Sequence, residues 1–80
     1  MHELGILYKA LEQVNMIAIK QHIKKLKHIT LEIGDASGYV PAFLYKLYPI
    51  AREKFPIIEN AELIIRTIPG RGFTICEIGY

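Results

Sequence analysis

The chain begins Met1-His2-Glu3, which places a free amine, a backbone amide and an imidazole within reach of one another. Nitrogen donors that can lie in a plane suit Ni(II) or Cu(II), whose preferred geometry is square-planar or tetragonal, and neutral imidazole serves either ion. A lone histidine near an amino terminus is also compatible with plain solvation, and Glu3 with a helix start, where a carboxylate meets the positive end of the dipole. Other reactive side chains are scattered. Ser37, Asp35 and His28 contain the atoms of a hydrolytic triad, but no nucleophile elbow or glycine-rich phosphate loop accompanies them. Asp35 and Ser37 suit turn formation through side-chain hydrogen bonds. Cys76 has no evident activating base and reads as a strand residue. The chain reads as a binder rather than an enzyme.

The elements that must carry these groups follow from periodicity. Leu4, Leu7, Leu11, Val14 and Ala18 recur at three- and four-residue spacing and predict an amphipathic helix from Leu4 to about Ile19. Ile6, Met16 and Ile17 widen that apolar surface, so the helix can face a sheet and something else. Residues 21–28 lose periodicity, turn basic and read as a helix end or connector. His22 and His28, six apart, do not share a helix face. Ile29-Thr30-Leu31-Glu32-Ile33 alternates as a half-buried strand closed by Gly34. Pro41 suits the first turn of a second helix with apolar positions Leu44, Leu47, Tyr48, Ala51 and Phe55, and Pro49 predicts a kink or break near Leu47-Tyr48. Glu62–Ile68 and Phe73–Ile78 are further strands separated by the turn Pro69-Gly70-Arg71-Gly72, antiparallel to one another if that turn is a hairpin. The expected architecture is α+β: a small mixed three-stranded sheet with two helices on one face, in the order α-β-α-β-β, as one domain over residues 1–80.

Composition narrows the classes. Of 80 residues 51% are hydrophobic and 22% charged, with a formal net charge of +2, which suits a folded domain rather than disorder. No apolar run approaches the roughly 20 residues of a membrane helix and no signal peptide is evident, so a cytoplasmic, non-membrane protein is expected. The single cysteine forms no internal disulfide. Lys20, Lys24, Lys25 and Lys27 make a basic run without a nucleic-acid recognition motif, and a solvated connector is the better reading.

Met1-His2-Glu3-Leu4, the strand end Leu31-Glu32-Ile33-Gly34, the following Ser37-Gly38-Tyr39-Val40-Pro41 and Ala61-Glu62-Leu63 occur in order along nearly the whole chain. Together they resemble the hydrogenase nickel-incorporation protein family, HypA/HybF. The resemblance implies a nickel-binding α/β domain of two helices and a small sheet. It places Ni(II) on His2, with the Met1 amine and the His2 and Glu3 backbone nitrogens as neighbours. It implies a metallochaperone role with hydrogenase or urease maturation proteins as partners.

The chain departs from that family downstream. Members continue into a zinc module with two Cys-x-x-Cys pairs, from which a final strand returns to the nickel domain. Here Cys76-Glu77-Ile78-Gly79 has glycine where the second cysteine would stand, and one thiolate cannot supply the four ligands of a structural zinc site, so none is expected. The expectation is a truncated, degenerate relative. Without the returning strand a sheet edge needs covering, either by Phe73–Ile78 folding back or by another copy, and a homodimer through edge pairing or strand exchange is expected. The alternative function is an interaction module that keeps this fold without metal, with Tyr8, Tyr39, Tyr45, Tyr48 and Tyr80 as interface candidates.

Overall fold

The computed structural model describes residues 2–80; Met1 and the side chain of His2 lie outside the described residues. Helix α1 spans His2–Lys20, strand β1 His28–Gly34, helix α2 Pro41–Ala51, strand β2 Glu62–Ile68 and strand β3 Phe73–Gly79. The sheet order is β2-β1-β3, with β1 parallel to β2 and antiparallel to β3. The fold is α+β with the expected element order. Leu7, Leu11, Val14 and Ala18 of α1 and Leu44, Tyr48 and Ala51 of α2 pack in one core with Ile29, Leu31 and Ile33, the alternate residues on one side of β1. Both helices therefore cover the same face of the sheet.

The β2–β3 connection is not a hairpin. β3 skips its sequence neighbour and pairs with β1, leaving β2 and β3 on opposite edges. Its own side-chain pattern shows how. Phe73, Ile75 and Ile78 stand opposite Ile33, Leu31 and Ile29, and the step from Ile75 to Ile78 is three residues where a regular strand allows two. Cys76 is the extra residue, at a register shift opposite Thr30/Leu31. Without this bulge Ile78 would point away from the helices. Phe73–Gly79 thus fills the third place in the sheet within its own chain, one of the two arrangements the sequence left open.

Helix α2 also differs from expectation. It does not break near Leu47-Tyr48 but runs through Pro49 to Ala51, and only then tightens into a single 3-10 turn, Arg52–Lys54. Pro49 is exposed, so its ring sits on the solvent side of the helix, away from the packed Leu44-Tyr48-Ala51 stripe. The Arg52 N–H bonds the Tyr48 carbonyl and closes the turn beyond the proline. Tyr48 then ties the helix to the approach of β2: its hydroxyl donates to the Ala61 carbonyl at 2.7 Å, and the Arg52 guanidinium lies over its ring at 5.2 Å.

The connector after α1 is pinned rather than merely solvated. Ile23 N–H bonds the Ala18 carbonyl at 2.8 Å and His22 N–H the Ile19 carbonyl at 3.1 Å, with His22 at φ 59°. This pair of bonds around one left-handed residue is a Schellman cap, and the buried Ile23 supplies its accompanying apolar contact. Leu26, also buried, donates its N–H to the Ile57 carbonyl and leads into β1.

Candidate metal site at the amino terminus

Helix α1 starts at His2, so the backbone nitrogens of His2 and Glu3, two of the candidate donors, belong to the first turn of a 19-residue helix. The first four amides of any α-helix have no carbonyl one turn earlier to bond. Ligation through backbone nitrogens there breaks no helical hydrogen bond. The helix dipole adds a second bias: deprotonated amides carry negative charge, which the positive end of the helix favours. Glu3, in the first turn, adds a carboxylate at the same place.

Glu3 is half-buried and shares a shallow groove of about 310 Å³ with Phe43, Lys46 and Leu47 of α2. Further along, the Lys54 ammonium lies 4.8 Å from the centre of the Tyr8 ring, so the two helices run side by side in the same direction. On its other flank α1 borders Phe73 and Ile75 through Ile6, Lys9, Ala10 and Gln13. The amino end consequently lies where β1 finishes and β3 begins. That end is tightly knitted. Asp35 N–H bonds the Ile68 carbonyl, Ala36 N–H the Gly70 carbonyl, and Gly70 N–H the Asp35 carboxylate at 3.1 Å. Tyr39 N–H bonds Ser37 Oγ, and the Tyr39 ring meets Phe73 edge-on at 5.5 Å. Gly34 is required here, since a Cβ would drive into the Gly70 carbonyl.

The sequence-named residues separate clearly. Met1 and the His2 side chain lie outside the described residues, and Glu3 is at the helix head. Ser37 shapes its own turn as expected, accepting the Tyr39 N–H, whereas the Asp35 carboxylate accepts the Gly70 N–H and so joins this turn to the β2–β3 connection. His22 caps α1, while the His28 ring lies against Gly79, where a Cβ would collide with it. Cys76 is exposed at the bulge rather than in a regular strand position. Its thiol is raised above its ordinary value by strand neighbours that limit its solvation and by the adjacent Glu32 carboxylate. A raised thiol is a poorer thiolate ligand. Among the described residues no group of three or more His, Cys, Asp and Glu side chains is placed to hold a metal. Four tyrosines have structural roles: Tyr48 and Tyr8 as above, Tyr39 on Phe73, and Tyr45, whose hydroxyl accepts the Ile65 N–H at 2.9 Å. The groove beside Glu3 escaped the sequence reading; the signal was Phe43, which falls outside the buried stripe of α2 and is 54% exposed.

Two parallel helices on one face of a β2-β1-β3 sheet, with the chain's first histidine opening the first helix, define a small α+β domain. Residues 1–77 match the family described as hydrogenase/urease nickel incorporation, metallochaperone, HypA, and the chain belongs to that family. It is 36% identical over 80 residues to the hydrogenase maturation factor HypA of Methanosarcina mazei, covering all of this chain and 56% of that protein. Against the protein of the same name from Methanosarcina acetivorans it is 38% identical over 80 residues, covering 58% of the relative. Against that of a Picosynechococcus species it is 35% identical over 69 residues, covering 86% of this chain and 60% of the relative. The chain thus spans under two thirds of the length of these relatives. No solved structure matches it. Among the described residues, no helix is long and apolar enough to cross a membrane.

Proposed function

We propose that this chain binds Ni(II) at its amino end and serves as a nickel-carrying accessory factor in metalloenzyme maturation, not as an enzyme. The ligands are the Met1 amine, the His2 imidazole and the backbone nitrogens of His2 and Glu3. The observation that carries this reading is the family match, which runs from Met1. The start of α1 at His2 supports it, because that geometry leaves the donors at a helix head. Nickel here is cargo. Protons compete for the imidazole and the amides, so affinity falls as pH falls. Hydrogenase or urease maturation proteins are the partners this reading implies, in the cytoplasm. The test is calorimetric titration of Ni(II) into protein with an authentic amino terminus, beside a His2→Ala variant. Loss of binding in the variant supports the site; equal binding eliminates it.

The second reading, an interaction module without metal, draws on the exposed Val40, Phe43 and Ile50 of the second helical segment. It predicts no His2-dependent nickel uptake, so the same titration separates the two. No structural zinc is assigned under either reading, since the chain's one thiol is Cys76.

A further inference from the structure

The sheet has two edges, and they are finished differently. On β2, Tyr45 reaches across from α2 and its hydroxyl takes the Ile65 N–H. On β3, among the described residues, no strand lies beyond and no side chain takes an outward amide. Gly34 N–H bonds the Gly72 carbonyl, so with alternation Gly72 and Thr74 face β1 while Phe73 and Ile75 turn their backbone groups outward. Above that edge, α1 carries a stripe that flanks its core stripe: half-buried Ile6, exposed Gln13 and Ile17 and then Lys20, with the buried Ala10 at its base completing the four-three-four-three spacing. Two shallow grooves run along it, one shared with Phe73 and Ile75 and one ending at Lys20, meeting at Gln13. That spacing is the a/d pattern by which one helix packs lengthwise against another.

We infer that this face is the contact with a second copy of the chain, in a two-fold dimer joined by β3 to β3 and α1 to α1. An antiparallel pairing centred on Thr74 sets Phe73 against the partner's Ile75 and the reverse, so both outward backbone pairs are satisfied. Pairing ends at the Cys76 bulge, which keeps it short and finite. The same axis runs the two α1 helices antiparallel. In the register that sets Ile6 against the partner's Ile17, Ala10 meets the partner's Gln13, and the acidic first turn at Glu3 comes beside the basic last turn at Lys20. Charge, helix stripe and strand register thus all permit one self-complementary arrangement, which an isologous interface demands. The result is a six-stranded sheet carrying four helices on one face.

Thr74 is exposed and falls at a non-hydrogen-bonded pair across the axis, where opposed side chains approach most closely. In a Cys76→Ser background, Thr74→Cys should cross-link into a covalent dimer on mild oxidation, whereas Thr67→Cys on the β2 edge should not. Light scattering of the untagged native chain at micromolar concentration should give twice 9.2 kDa. Ile17→Glu, at a position already 37% exposed, should return it to monomer with an unchanged far-ultraviolet spectrum. A monomer mass for the native chain, equal cross-linking at both positions, or a dimer indifferent to Ile17→Glu would overturn the assignment. None of these readings involves nickel, so they stand apart from the metal proposal.

Discussion

The two ends of α1 each carry a histidine beside charged residues, and only one of them is built as a candidate site. At the amino end the proposed donors are consecutive in the chain, so the proposal needs no tertiary contact to gather them. At the carboxyl end His22 is committed to the left-handed position of a Schellman cap, and Ile23 and Leu26 bury between the exposed lysines, spacing them along a connector. Residue types alone do not separate these ends. What separates them is whether a backbone role has already taken the histidine.

If the carboxyl end is structural, the largest effect there should come from its apolar pins. Leu26→Ala should cost about 2–5 kcal/mol in a urea melt, as for other buried leucines, while Lys24→Ala and Lys25→Ala stay within roughly 0.5 kcal/mol, as surface changes do. A reversed order would mean that the lysines perform the work of that end. Tyr48 anchors the neighbouring segment through Ala61, and Tyr48→Phe should cost about 1 kcal/mol. Burial raises this phenol above its ordinary 10.0, with the Arg52 cation opposing. The folded state therefore favours the neutral ring, and the unfolded chain ionises first. Its contribution is complete below about pH 10 and lost as pH climbs toward the folded value, so the native protein should weaken at alkaline pH more than the Phe variant. The cap itself acts in the opposite direction. His22→Gly should raise stability by about 1 kcal/mol by removing left-handed strain, without changing nickel uptake. A loss of nickel uptake in that variant would erase the distinction between the two ends.

Much of the fold could be read from period alone. The α1 core stripe lies where three- and four-residue spacing put it, and Ile29, Leu31 and Ile33 of β1 and Leu63 of β2 face the core as alternation predicts, although the central position of β1 buries Thr30 as well. Strand order was harder, because it depends on contacts between distant residues: Tyr45 on Ile65 occupies the β2 edge, and β3 goes to β1 instead. The bulge was not anticipated, because the Phe73-Ile75-Ile78 spacing demands an extra residue only once all three are known to share a face. Pro49 misled for a physical reason. The rule against interior proline counts the lost bond, but not the rest of the helix, which Leu44, Tyr48 and Ala51 hold against the core. The candidate site is named by three adjacent residues, of which Met1 and the His2 side chain lie outside the described residues; the groove of Glu3 with Phe43, Lys46 and Leu47 was not legible, since that required two helices to be laid side by side.

The most direct test of the central claim leaves His2 untouched and removes only the amine beside it. Protein carrying one additional residue ahead of Met1 should lose its Ni(II) uptake in the same titration that loads the authentic start, because the amine is displaced from the chelate. Equal uptake by the extended and authentic proteins would contradict an amino-terminal nitrogen site.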